Sequence, residues 1–421
     1  MASATEPAPA VHRPSPVGEL KNSPELELVL LCARRNLNID RVRRALRLLE
    51  HPLNWSLLIE QAEVHGLFPL LYWHGTRTLA LAFPPEIAQQ LNSRFRANAA
   101  RSLLLIRDLA NTLELLGSRG IPVIPFKGPA LAETLYGDAA LRQCVDLDIL
   151  LRSCDVPEAI RTLVSAGYEA PTELTTARQN AFIATQYEYA FLSPAGNLVE
   201  LQWRILPRYF SLALPEGQYW SRIQSLKVFG RKINALSCED LLLLLCFHGG
   251  KHGWDKLIWL ADVAELITST PHLEWEYVLE HARRAGGLRM LLLAVILANR
   301  FLETTIAEEL EQPLARDRTV GQIADSICRN FDTGELPTYV QSQLYLLRVR
   351  ERWRDRLRYL IRFALTPTPM EWKIVDLPPS LSSLYSFLRV LRGLGKALSL
   401  ARNAASRFIK SKLLCRQCLG R

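Results

Sequence analysis

No apolar run in this chain is long enough to cross a bilayer. The longest in a helical region, Met290 to Ala298, falls well short of the roughly 20 residues a spanning helix needs. The first ten residues carry no apolar signal core, and the Pro/Ala/Ser character up to Ser23 reads as a disordered leader over 1–23. Eight cysteines lack framework spacing, which suits a reducing cytoplasm, and Cys415-x-x-Cys418 lacks the second pair that a zinc site would need. There is no Walker loop, no Rossmann glycine fingerprint, no serine–histidine–acid order and no internal repeat. The longest stretch without acid is at the C-terminal end: residues 377–421 hold nine Lys/Arg and no Asp or Glu. Since the whole chain has a net charge of +9, the remainder is formally neutral. That argues against a nucleic-acid groove through the core and concentrates the basic charge in a tail.

Two carboxylates, Asp146 and Asp148, stand two apart and run into the apolar stretch Ile149-Leu-Leu151. On a strand they project to the same face, where like charges repel unless a cation lies between them or one takes a proton. Mg²⁺ or Mn²⁺ accepts such oxygens and keeps places open for substrate phosphates. Upstream, Ile121 to Phe126 reads as a short buried strand, Lys127-Gly128 as a turn and Pro129 to Tyr136 as a helix ending at Gly137. A strand, a glycine turn and a helix N-terminus together present free N–H groups to an anion, here a nucleotide's phosphates.

Lys127-Gly128, Leu131, Tyr136, Arg142, Asp146-Leu-Asp148 and Ala166-Gly-Tyr168 resemble the nucleotidyltransferases of the polymerase-beta-like superfamily, and within it a large bacterial branch of uncharacterised members. Val199-Glu-Leu-Gln-Trp203, His248-Gly-Gly-Lys-His252-Gly-Trp254 and Thr366-Pro-Thr-Pro369 also fit that branch, so the resemblance spans roughly residues 25–395. It implies transfer of a nucleoside monophosphate from a nucleoside triphosphate to a hydroxyl acceptor, which the sequence does not identify. It also puts the family's third acid at Glu200, which independently stands out as a carboxylate within Leu198-Val-Glu-Leu201, with Glu188 as its competitor. Gln202 stands where the family commonly has histidine; an amide hydrogen-bonds but exchanges no proton near neutral pH.

Lys127, Gly128 and Arg142 are therefore expected at the triphosphate, Arg142 through its bidentate fork, with pairing to Asp138, Asp146 or another acid as the alternative for Lys127 and Arg142. His248, Lys251, His252 and Trp254 are expected to line the nucleotide cleft from a helix, with satisfied core histidines as the alternative. Asp262 is expected to cap or orient that helix pair. The expected fold is α+β: a small mixed-sheet core at 120–235 between an N-terminal helical region, 24–119, and a C-terminal one, 236–376. Tyr187–Leu192 and Leu198–Trp203 should form a hairpin. In the basic tail, 377–421, Leu381, Leu384, Tyr385, Leu388, Leu391, Leu394 and Ala397 recur at helical spacing with Arg389, Arg392 and Lys396 between them. This suits a helix on an anionic membrane surface, a partner groove, or a helix docked on its own domain. Cytoplasmic location, free or peripheral to a membrane, follows. Three other readings stay open: a degenerate member that binds nucleotide or a partner without turnover, a transferase that modifies a protein, and a membrane-peripheral accessory factor in polysaccharide or peptide biosynthesis and export.

Overall fold

The computed structural model describes residues 23–79, 83–170, 176–375, 377, 381, 383–393 and 395. Five helices come first: α1 Pro24–Leu31, α2 Ile39–Leu49, α3 Trp55–Val64, α4 Phe68–Arg77 and α5 Pro85–Gly117. Ser23, Asn38 and Asn54 each accept a backbone N–H at the start of the first three, so local capping chemistry sets those boundaries. The mixed part follows with β1 Val123–Pro125, α6 Gly128–Tyr136, β2 Asp146–Leu151, α7 Val156–Ser165, α8 Thr176–Thr185, β3 Glu188–Leu192, β4 Leu198–Gln202, α9 Glu216–Trp220, β5 Gln224–Val228 and β6 Arg231–Ala235. Helices then return: α10 Cys238–Lys251, α11 Leu257–Ser269, α12 Trp275–Ala285, α13 Leu288–Leu302, α14 Glu308–Arg316, α15 Arg318–Thr333, α16 Tyr339–Arg348, α17 Trp353–Leu365 and α18 Pro369–Ile374. The fold is α+β, as the sequence predicts.

The main sheet has the order β1-β2-β4-β3, with β2 and β4 parallel and both edge strands antiparallel to their neighbours. Residues i and i+2 share a face, so the register sorts the side chains. Leu147, Ile149, Leu151, Val199, Leu201, Tyr189 and Phe191 join a buried cluster with Leu105, Leu109 and Leu116 of α5 and Ala159 and Leu163 of α7. The opposite face carries the acids. The expected β3–β4 hairpin is present, turning at Ser193–Asn197. The β5–β6 hairpin and α4 give no clear period in the sequence, their apolar residues being too few or too evenly spread.

The flanking helices are not two separate supports. One buried cluster runs from Leu26 through Leu71 to Leu242, Leu260, Met290 and Ile327, joining the N- and C-terminal helices. Arg34 crosses that joint, with Nε 2.7 Å from Glu265 and Nη1 donating to the Leu302 carbonyl. Among the described residues no helix is long and apolar enough to cross a membrane.

The expected tail falls largely outside the described residues, as do the leader up to residue 22 and the Cys415/Cys418 pair. Where the tail is described, residues 384–393 are helical and docked on the protein itself. Tyr385 is buried against the cluster behind the sheet, its hydroxyl donating to the Val375 carbonyl and accepting from Leu377 N–H. Arg392 Nε lies 2.8 Å from the buried Glu371 carboxylate.

Candidate active site

Gly128 opens α6 at φ +61°, and a Cβ there would stand 2.9 Å from the Asp146 carbonyl oxygen. Only glycine allows the helix to begin this close to β2. No side chain caps the helix N-terminus, which starts at Lys127, so its first N–H groups point out beside the acidic face of the sheet.

That face is assembled by strand register. Asp148 lies directly opposite Glu200 across the parallel β2–β4 pair, and Glu188 opposite Gln202 across β4–β3. Asp146 extends the row by one pleat. Asp148 is buried, and its Oδ1 accepts from Lys127 Nζ at 3.1 Å and from Gln202 Nε2 at 2.8 Å. Gln202 also donates to Glu200 Oε2 at 3.2 Å, so one amide bridges two of the acids. Lys251, at the end of α10, brings a second ammonium, 5.4 Å from the centre of the Tyr187 ring.

Four carboxylates and two ammonium groups are thus crowded into one partly buried face. Burial, then Glu188, Asp148 and Asp146 in turn, pushes the Glu200 carboxyl up to about 7. Burial and then Asp148 raise Asp146, and burial raises Glu188. Lys251 is pushed down by burial and then by Lys127, although the acids pull it back. The folded protein therefore binds protons that the unfolded chain, with Glu at its ordinary value near 4.5, has already released. Stability is expected to fall as pH rises from about 4.5 through about 7, and a divalent cation should flatten that loss. Urea midpoints across this range, with and without Mg²⁺, check it; a midpoint that rises without metal would show the lysines outweighing the repulsion.

Hard anionic oxygens in excess of their cationic partners are the donor chemistry a divalent ion takes. Among the described residues, though, no three His, Cys, Asp or Glu side chains stand close enough together to hold a metal ion. Lys127 and Gln202 occupy Asp148 instead.

Two expected nucleotide contacts are engaged by the protein's own groups. Arg142 is buried, and its fork grips Asp262 of α11: Nε lies 3.0 and 3.2 Å from the two carboxylate oxygens and Nη2 2.8 Å from Oδ2. Tyr136, at the end of α6, donates to the same carboxylate at 3.0 Å. Burial opposes the Arg142 charge, but Asp262 holds its pKa well above the ordinary value. The fork that suits a phosphate suits a carboxylate equally, and the fold brings one to it. Rather than orienting the α10–α11 pair, Asp262 ties α6 and the approach to β2 onto α11. Trp254 is the second case. It is wholly buried, and its ring lies so close over Gly249 that a Cβ there would stand 2.2 Å away, so no face is offered to a base.

His248 and His252 do share a helix face, with ring centroids 4.8 Å apart and both rings within about 5 Å of Trp259. Burial, followed by the nearby lysines, drives His248 well below its ordinary pKa. The cluster is therefore neutral and aromatic, with Lys127 and Lys251 as the leading charges that act on it.

The family model described as an uncharacterised nucleotidyltransferase matches residues 51–303, well over half the chain. The chain belongs to that nucleotidyltransferase family. The match runs from α3 to the end of α13 and takes in the whole sheet, a shorter span than the motifs suggest. No curated protein matches the chain. Among solved structures it is similar to the antibiotic-resistance factor ANT(2'')-Ia, at 14% identity over 45% of this chain and 91% of that one, with a TM-score of 0.31. It is also similar to the lincosamide antibiotic adenylyltransferase LnuA in its lincomycin-bound form (17% identity, 38% and 94% covered, TM-score 0.27). A third is an antigenic nucleotidyltransferase-like protein from Paracoccidioides brasiliensis (16%, 50% and 93%, 0.26).

Proposed function

We propose that Asp146, Asp148 and Glu200 hold Mg²⁺ or Mn²⁺ and that the open N-terminus of α6, with Lys127 and Lys251, receives the phosphates of a nucleoside triphosphate. The observation that carries this reading is the pairing of Asp148 with Glu200 across parallel strands, beside a helix start that only Gly128 permits. The metal would supply charge neutralisation at the transferring phosphoryl group. The chain's own groups do the rest. The first N–H groups of α6 orient the phosphates, and Lys127 leaves Asp148 to follow them. Lys251 then relieves its repulsion from Lys127 against the same anion. An acceptor hydroxyl displaces pyrophosphate from the α-phosphorus, its proton passing to the carboxylate face. The acceptor is a small molecule or a protein, and the setting is the cytoplasm, where triphosphate and Mg²⁺ are both at hand.

A second reading has one observation in its favour. Lys127 and Gln202 satisfy Asp148 without any metal, as a nucleotide- or partner-binding member without turnover would require. Labelled nucleoside triphosphates incubated with purified protein, Mg²⁺ or Mn²⁺ and cell lysate separate the two. Transfer of label or release of pyrophosphate supports the enzyme; nucleotide binding with neither supports the binding protein.

Within the enzyme reading, Glu200→Gln is expected to lower turnover strongly and Glu188→Gln only mildly. Glu200 faces Asp148 directly, whereas Glu188 is one strand further out. The opposite order in a steady-state assay would move the metal site toward β3.

A further inference from the structure

Helix α17, Trp353–Leu365, lies beyond the segment shared with the nucleotidyltransferase family and turns an apolar face outward. Its inner side is firmly held: Tyr359 and Asp355 are buried, the Arg350 guanidinium lies 3.9 Å from the Tyr359 ring centre, and Phe363 meets Tyr209 edge-on. Its outer side carries Trp353, 67% exposed, and Leu357, Leu360, Ile361 and Leu365, each close to half exposed. At 100° per residue these five fall on one stripe. Arg354 falls within that stripe and Arg358 at its edge, both bordering a shallow depression of about 390 Å³. The helix's single acid, Asp355, is buried with Arg358 Nη1 3.0 Å from it, so the exposed charges of the helix are those of its arginines.

We propose that this face docks the protein on an anionic lipid surface. An aliphatic stripe ended by a tryptophan and joined by arginines is the arrangement that lies in the headgroup layer. The apolar side chains enter the acyl boundary, the indole sits at the interface, and the guanidinium groups reach anionic headgroups. Charge selects this occupant over the others. A second copy would set Arg354 and Arg358 against their own counterparts. The chain beyond residue 395 has seven Lys/Arg and no acid, so it would add to the positive charge on this face. In the described part of the tail, Arg392 is committed to Glu371 and Arg389 lies over the Phe363 ring, so the basic residues there are partly engaged within the protein. Just past α17 the chain touches the mixed part of the fold, where the Pro367 carbonyl accepts from Gln186, two residues before β3.

The test is cosedimentation of the full chain with phosphatidylglycerol–phosphatidylcholine vesicles and with phosphatidylcholine alone. The protein is expected in the pellet with the anionic vesicles at low salt and in the supernatant with the neutral ones. Trp353→Ser/Ile361→Ser should weaken partitioning at least about tenfold, each large apolar side chain contributing on this order when buried. Arg354→Glu should weaken it at least about fivefold and flatten its salt dependence. All three residues are exposed, Ile361 by about half, so thermal melts should stay near the wild type, and Arg354→Glu carries the test if the double variant does not fold. Neutralising the tail instead, as Lys410→Gln/Lys412→Gln/Arg416→Gln, should leave most of the binding. The proposal is overturned if wild type ignores anionic vesicles or if the α17 variants bind as wild type does. It is equally overturned if only the tail variant loses binding, or if Trp353→Ser/Ile361→Ser abolishes a dimer in sedimentation equilibrium.

Discussion

Asp148→Asn is expected to lower nucleotidyl transfer by about a thousandfold, the consequence of removing several kcal/mol of charge stabilisation at the transferring group. Asp148 is the residue on which this site converges. It faces Glu200 across the sheet, and its Oδ1 accepts from both Lys127 and Gln202. The variant has a second readout that needs no turnover. At a Mg²⁺–triphosphate concentration ~100 times its Kd, wild type should gain roughly 2.7 kcal/mol of stability by linkage. Asp148→Asn should lose the metal-dependent part and keep its fold, because asparagine still accepts from Lys127. If the variant is stabilised as much as wild type, the metal lies elsewhere.

The largest stability effect is expected at Arg142. Its guanidinium and the Asp262 carboxylate are both out of water, with side-chain exposures of 9% and 0%. Arg142→Ala leaves that carboxylate with the Tyr136 hydroxyl as its remaining named donor, and breaking such a buried pair costs about 3–5 kcal/mol. Arg142→Met with Asp262→Leu should recover much of the loss, since an apolar pair of similar volume carries no desolvation cost. Urea unfolding of the single and double variants measures both. This result also separates the two roles open to Arg142. A residue that gripped triphosphate would raise KM for the nucleotide with little change in stability. One that ties α6 to α11 should lower stability first, and kcat through the displaced helix.

The two cases differ in how far sequence could reach. Asp146 and Asp148 were legible because their spacing alone puts them on one face of a strand, and the Lys127-Gly128 turn because a glycine between a strand and a helix has few other uses. Both are local statements, fixed by two or three residues of backbone geometry. Arg142 was visible as a residue of consequence but not in its partner, which is 120 residues away. A guanidinium fork fits phosphate and carboxylate alike, and the chain does not announce which one the fold will deliver. Trp254 differs from its expected role for a related reason. Its place in the motif says nothing of where the ring turns, and Gly249 leaves open the space into which the ring packs.

Sequence was enough for the α+β class, the hairpin that carries Glu200, the acidic pair and, through its motifs, the family. Each of these is a pattern within short stretches of chain, where local sterics and chemistry leave little choice. Which acid faces which, the sharing of Asp148 by Lys127 and Gln202, and the capture of Arg142 by Asp262 came only with the folded chain. So did the merging of the two helical regions into one core. The same holds for the outward apolar stripe of α17 and the inward Tyr385 of the described tail. An amphipathic helix has the same sequence pattern whether its apolar face meets the protein or its surroundings. The difference lies in whether another element is there to cover it.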